Sequence, residues 1–226
     1  MYGIVKNFAL LNVSIKGIDE VGGVAGFSQG IIQNCYVTGS VVGANNVGGV
    51  VGWNADRTIE NCYTTCDVSG VGGFVGGVAG MNFEGVVQNC YATGNVVGHS
   101  RVGGVVGNTG PNSIIKNCVA LNKEVNSTQN NNTLIGRVVG DFWISTLTNN
   151  FALVNMTSNV IFQTSGNRGG IDITATQAKT ASFWTTTTPN WTGWDTTIWD
   201  ISDGRLPILR NVGGNQTTNN PPEHLR

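Results

Sequence analysis

The sequence predicts an all-β chain wound as a parallel β-solenoid, and three observations carry that reading. A glycine-rich hexamer recurs at a near-constant interval, an Asn-Cys-Tyr follows it by eight to ten residues, and helix formers are scarce throughout. The repeat is visible in "VGGVAGFSQGIIQNCYVTG" from Val21, "VGGVVGWNADRTIENCYTTC" from Val47, "VGGVAGMNFEGVVQNCYATG" from Val75 and "VGGVVGNTGPNSIIKNCVAL" from Val102. Anchored on the asparagine, the copies are Asn7, Asn34, Asn61, Asn89, Asn117 and Asn150, at steps of about 27, 27, 28, 28 and 33 residues. A period of this size means coils that bury their apolar side only by stacking on neighbours. Gly-Gly in one half of each repeat and β-branched residues in the other exclude a helical solenoid. Five to six coils, with rungs about 4.8 Å apart, account for the repeats.

The columns across coils predict side-chain direction. Lys6, Gln33, Glu60, Gln88, Lys116 and Asn149 precede the asparagines and face water. Ile4, Ile32, Ile59, Val87, Ile115 and Leu147 form a buried column, with one offset in the first coil. Phe8, Cys35, Cys62, Cys90, Cys118 and Phe151 follow the asparagines and point inward. Since two inward positions lie three residues apart, the asparagine sits at a bend or bulge that resets the alternation. Asn34, Asn61, Asn89 and Asn117 are therefore read as a stacked corner. The hexamer glycines either let coils approach closely or supply a positive φ. The opening "YGIVKNFALLNVSI" aligns with "EGVVQNCYATGNVV", as in a fragment cut in mid-repeat.

"GVAG" from Gly23, "GVVG" from Gly49, "GVAG" from Gly77 and "GVVG" from Gly104, each followed by an "I-x-N-C-Y-x-T-G-x-V"-like segment, resemble the GLUG motif family. A fifth copy departs from the pattern, with Arg137 opening "RVVG". The resemblance covers roughly the first 155 residues. It implies a secreted or surface-anchored protein, as in immunoglobulin A-cleaving metallopeptidases and proteins described as adhesins. It implies no chemistry.

The residues themselves offer little chemistry. Charge is sparse and balanced to a net −1, which excludes a nucleic-acid footprint or a basic membrane patch. No apolar run is long enough for a transmembrane helix, and no signal peptide follows Met1. Cys35 to Cys118 span three rungs, roughly 14 Å, too far for one zinc. Equivalent Cβ atoms one rung apart also exceed disulfide reach. Cys35, Cys62, Cys90 and Cys118 are thus expected as buried, reduced thiols, while Cys66 breaks the pattern. The hexamers lack the Lys-Ser/Thr of a phosphate loop and the aspartate of a calcium repeat. With His99 and His224 the only histidines and no His-Glu-x-x-His, a metallopeptidase centre is not expected here. Asp56 and Glu84 are the best carboxylate pair, about 5 Å apart if one rung separates them. Gln29 and Asn112 fill the same column and point to a solvated turn. No cofactor is expected. Sequons at Asn12, Asn126, Asn131, Asn155, Asn190 and Asn215 permit glycosylation where a host performs it.

After Asn155 the period fails. "TATQAKTASFW" predicts one short helix capped by Thr174, followed by a tryptophan-rich stretch with a turn at "DGRLP". The expected organisation is a solenoid over 1–156, a capping segment over 157–212 and a flexible tail over 213–226. The function expected is a non-catalytic extracellular or surface module, a stiff stalk or adhesive surface for a protein or glycan partner. Alternatives are a carbohydrate-active β-helix enzyme or glycan-binding module, and a subunit that self-associates through the solenoid ends into filaments.

Overall fold

The computed structural model describes the whole chain apart from residues 130–133, 189–190, 215 and 217–220. Five parallel coils form three sheets. The first stacks Asp19–Gly22, Asn45–Gly48, Gly73–Gly76, Ser100–Gly103 and Ile135–Gly136; the second stacks Ala25–Ser28, Val51–Ala55, Ala79–Phe83, Val106–Thr109 and Val139–Phe142. The third has 14 strands and begins with the long pair Ile4–Lys16 and Ile31–Gly43. In later coils that length breaks into short strands such as Thr58–Glu60, Tyr63–Thr64 and Asp67–Gly70.

Register pairs like with like. Val47, Val75, Val102 and Ile135 lie in one column, and Ile59, Val87, Ile115 and Leu147 in another. All but Leu147 are fully buried, so each coil's apolar surface is covered by the next. The first-coil member of this column is Val5, which pairs with Ile32 and is half-buried; Ile4 is 62% exposed.

Three kinds of corner are turned on left-handed residues, in most coils. One corner holds Asn34, Asn61, Asn89 and Asn117 at φ 53, 52, 51 and 54°. A second holds Asp56, Glu84, Asn112 and Ile144, and a third Glu20, Asn46, Phe74 and Arg101. Asparagine takes this conformation at low cost; a side chain such as Ile144 does not, and the ladder on either side holds it there.

The hexamer glycines serve close approach. None has a positive φ. A Cβ on Gly49 would lie 2.2 Å from the Gly77 carbonyl oxygen, and one on Gly52 would lie 2.5 Å from the Glu20 carbonyl carbon. The first two sheets thus touch backbone to backbone, with no room for a methyl group.

The last coil is registered one residue differently from the sequence expectation. Asn149, not Asn150, has the left-handed φ, and Thr148 pairs with Lys116. Asn150 therefore takes the cysteine position, and Phe151 pairs with Val119 one place further on. Buried Asn150 uses its amide there: Nδ2 donates to the Ile115 carbonyl at 2.8 Å and Oδ1 accepts from the Cys118 N–H at 3.0 Å.

Beyond the coils, Ile171–Ile173 adds a further rung to Phe151–Leu153. The Arg168 carbonyl accepts from Val138 and Val139 N–H, and its guanidinium donates to Gly140 O and pairs with Asp141 at 3.5 Å. The predicted single helix is two, α1 (Ala175–Ala178) and α2 (Ala181–Thr185). Thr174 and Gln177 form a capping box on α1. Asp203 Oδ1 accepts from Ala181 N–H at 2.7 Å and starts α2 afresh.

Candidate functional site

The repeat's conserved-looking triplet splits its roles between corner, interior and flank. At the corner, Asn34 Nδ2 donates to Asn7 Oδ1 at 3.0 Å, Asn89 to Asn61 at 3.2 Å and Asn117 to Asn89 at 3.3 Å. Stacked amides of this kind satisfy one another along the axis.

Inside, Cys35, Cys62, Cys90 and Cys118 are fully buried free thiols on consecutive rungs. Each Sγ donates to the carbonyl two residues before it, at 3.3, 3.2, 3.1 and 3.3 Å. Each also approaches a carbonyl of the preceding coil at 3.6–3.9 Å. Burial raises the Cys90 thiol well above its ordinary value, and the Cys62 thiol beside it raises Cys35. Cys35 and Cys90 are thus held protonated. Burial opposes ionisation of Cys62 as well, but the hydrogen bonds from Cys35 and Cys90 outweigh it and lower that thiol, so these three alternate while all four side chains pack as small hydrophobes. Phe8 in the same column is 44% exposed, because no coil covers it. The fifth thiol, Cys66, is also buried, and burial pushes it up to about 11.

The flank is the feature the sequence reading missed. Tyr36, Tyr63 and Tyr91 follow the inward cysteines, so they stand on the outer face, yet they are at most 1% exposed. Their rings stack at 4.8 Å with planes 3° and 4° off parallel. The C-terminal segment covers them. Trp184, Trp194 and Trp199 lie 6.1–6.2 Å from Tyr91, and Trp199 also lies 6.2 Å from Tyr63. The phenols donate to Gly213 O, Gln216 Oε1 and Pro207 O at 3.0, 3.1 and 2.8 Å. His224 Nε2 lies 2.8 Å from Leu121 O, and Leu225 is fully buried. Of the segment 213–226, read as a flexible tail, these residues pack on the solenoid because the phenols and coil carbonyls give them partners. Three successive apolar positions, Cys-Tyr-Val at 35–37, were the available signal: a strand buried on one face alternates, and one covered on both does not.

A second interior column also went unread. Ser28, Asn54, Asn82 and Thr109 are fully buried, each two residues after a hexamer's last glycine. Asn54 Nδ2 donates to Arg57 O at 2.7 Å and Asn82 Oδ1 at 2.6 Å. The constant offset would have found them.

Outside, the column expected to be free is partly tied. Glu60 accepts from Gln33 Nε2 at 2.8 Å and from Gln88 Nε2 at 2.6 Å, one carboxylate clamped by the coils on both sides. Asp56 and Glu84 share a left-handed corner on adjacent rungs, where Asp56 N–H donates to Phe83 O, and both side chains are exposed. Water, not a low-dielectric cleft, surrounds that pair. Of the sequons, Asn12 and Asn155 are exposed, whereas the Asn126 amide is engaged by Glu124 and the Asn159 N–H. Asn131, Asn190 and Asn215 lie outside the described residues.

The hexamers, the asparagine corner and the interval between them match a known repeat in three consecutive copies, at residues 20–42, 43–69 and 67–97. Residues 20–97 carry the GLUG motif. A 50-residue stretch is 48% identical to halomucin of Haloquadratum walsbyi; it covers 22% of this chain and, to the nearest percent, 0% of halomucin. The fold resembles that of a candidate immunoglobulin A1 protease from Bacteroides ovatus, with a TM-score of 0.76 and 22% identity. That match covers 93% of this chain and 69% of the other. The coils and the segment that follows them thus share their fold with that protein. Among the described residues, no helix is long and apolar enough to cross a membrane.

Proposed function

We propose that this GLUG chain is a non-catalytic extracellular module, a stiff spacer that carries an interaction surface. The carrying observation is the continuity of the ladder: among the described residues, the same column pairs from coil to coil through all five turns. One-dimensional stacking of this kind resists bending, because each coil is held by its neighbours over three sheets. Halomucin's similarity and the candidate protease's fold support a surface setting. On this reading residues 1–156 form the spacer and the remainder covers it. Ile171–Ile173 extends the third sheet by one rung past Phe151–Leu153 and is its last strand there.

Hydrogen exchange tests the spacer. Amides of the middle coils are expected to exchange only through global unfolding; fast exchange there would contradict a stiff module. Incubation with immunoglobulin A1 and with a panel of aryl glycosides tests the non-catalytic claim, and turnover abolished by Asp56→Asn or Glu84→Gln would restore the enzyme reading.

A further inference from the structure

The described C-terminal end of the solenoid carries a cleft divided by Ile171, whose side chain is 51% exposed. On one side a cavity of about 380 Å³ is lined by Phe151, Phe183 and Trp191, with Ser182, Thr186 and Thr188 on its rim. On the other a cavity of about 310 Å³ is lined by Thr148, Asn149, Asn167 and Gly170. Both fall within the range of small-ligand pockets.

The aromatic half has a definite shape. Phe183 and Trp191 are 20° off parallel with centroids 5.4 Å apart, and Phe151 meets both edge-on at 5.1 and 4.9 Å. Trp191 is 4% exposed and its indole N–H has no acceptor among the described residues. Trp194 and Trp199 carry the same unpaired, buried indole N–H, so it belongs to the tryptophan cluster as a whole and not to this wall alone. The hydroxyls of Ser182, Thr186 and Thr188 are exposed and, with the half-buried amide of Asn149, make no hydrogen bond among the described residues.

Charge narrows the ligand. Asp172, the acidic group at the cleft, is paired with Arg137 at 2.6 Å, and that guanidinium also donates to Gly170 O. Neither sign of charge is left uncompensated. A neutral molecule with an apolar face and a hydroxylated edge fits an aromatic wall rimmed by hydroxyls and amides. A pyranose ring is such a molecule. We propose that this cleft binds a neutral saccharide, one ring against the aromatic half and the adjoining unit hydrogen-bonded beside Asn149. The spacer reading above does not depend on it.

The test is saturation-transfer NMR and tryptophan fluorescence on the full chain with methyl β-glucopyranoside, methyl β-galactopyranoside, methyl α-mannopyranoside, N-acetylglucosamine, cellobiose and chitobiose. At least one is expected to bind with Kd of roughly 0.1–10 mM, the ordinary strength of a small neutral ligand. Ser182→Tyr, an exposed position on α2, fills the aromatic half and is expected to weaken binding at least tenfold at unchanged Tm. Thr186→Tyr serves the same purpose should that variant fail to fold. Asn149→Gly, which keeps the left-handed φ, is expected to weaken the disaccharides more than the monosaccharides. Binding of none of the six, or binding indifferent to a folded cleft-filling variant, overturns the proposal. Either result leaves the exchange behaviour of the coils, and so the spacer reading, untouched.

Discussion

Tyr63 and Tyr91 lie in successive coils with ring centroids 4.8 Å apart and planes 4° off parallel, and Trp199 packs against both. Their spacing is the rung spacing of the ladder, so the stack reports coil register directly. The lid over them also gives their hydroxyls acceptors, which the coils alone do not. Trp199→Ala is expected to cost about 3–5 kcal/mol, as for any fully buried tryptophan. A thermal melt that moved by less than a few degrees would show that the lid is loosely held.

Asn61 sits 5% exposed at φ 52° and accepts from Asn89. Asn61→Ala loses that bond and places alanine in a left-handed conformation, an expected cost of about 2 kcal/mol. Asn61→Gly removes the same amide but not the conformational freedom, so it should cost less. Asn7→Ala is expected to be milder than either, because its coil has a neighbour on one side only. Denaturant titration of the three variants checks the order.

Gly49→Ala and Gly213→Ala separate packing from backbone entropy. The first drives a methyl group to 2.2 Å from the Gly77 oxygen, whereas the second meets nothing within 4 Å. Overpacking against rigid backbone is expected to cost about 3 kcal/mol or more, and the exposed change about 0.5 kcal/mol or less. Equal Tm values would contradict the close approach of successive coils at the hexamer glycines.

The period, the parallel ladder and the corner asparagines were legible because each coil obeys the same local rules. Asn150 misled because "TNNF" offers two adjacent asparagines and the last step is 33 residues rather than 27 or 28, so the anchor slipped by one. Glu60 was read as free because its partners, Gln33 and Gln88, belong to other coils. The lid could not be placed for a similar reason. Tyr91 and Pro207 are 116 residues apart, and no periodicity links a repeat to a segment that does not repeat. The tryptophans signalled a core but not which surface they would cover.

Glu60→Ala follows from that correction. It leaves two amides unpaired on a partly exposed face, with an expected loss of about 1 kcal/mol rather than none, discounted for solvent screening. Lys6→Ala in the same column, which makes no ion pair among the described residues, should be neutral. Urea midpoints of the two variants check the difference.

Alkaline pH should unlock the lid. Burial raises the phenols of Tyr36, Tyr63 and Tyr91 above 10.0, and the Cys66 thiol from 9.0 to about 11. A folded-state pKa above the unfolded value means the folded chain binds these protons more tightly. Their contribution is therefore complete below about pH 9 and falls as pH rises through 10 and beyond. Tm should be flat below that window and drop above it, with tyrosinate absorbance of the three lidded rings appearing only as the circular dichroism is lost.

Deleting 174–226 tests the architecture most directly, since it keeps the end rung Ile171–Ile173 and removes the cover of the flank together with Phe183 and Trp191, which pack on Phe151. The tyrosine stack would then face solvent as a contiguous apolar patch. The account predicts that residues 1–173 associate or precipitate, and that their tyrosines lose the near-ultraviolet dichroism of a fixed stack. A monomeric 1–173 chain, melting cooperatively at the Tm of the full chain, would contradict the lid.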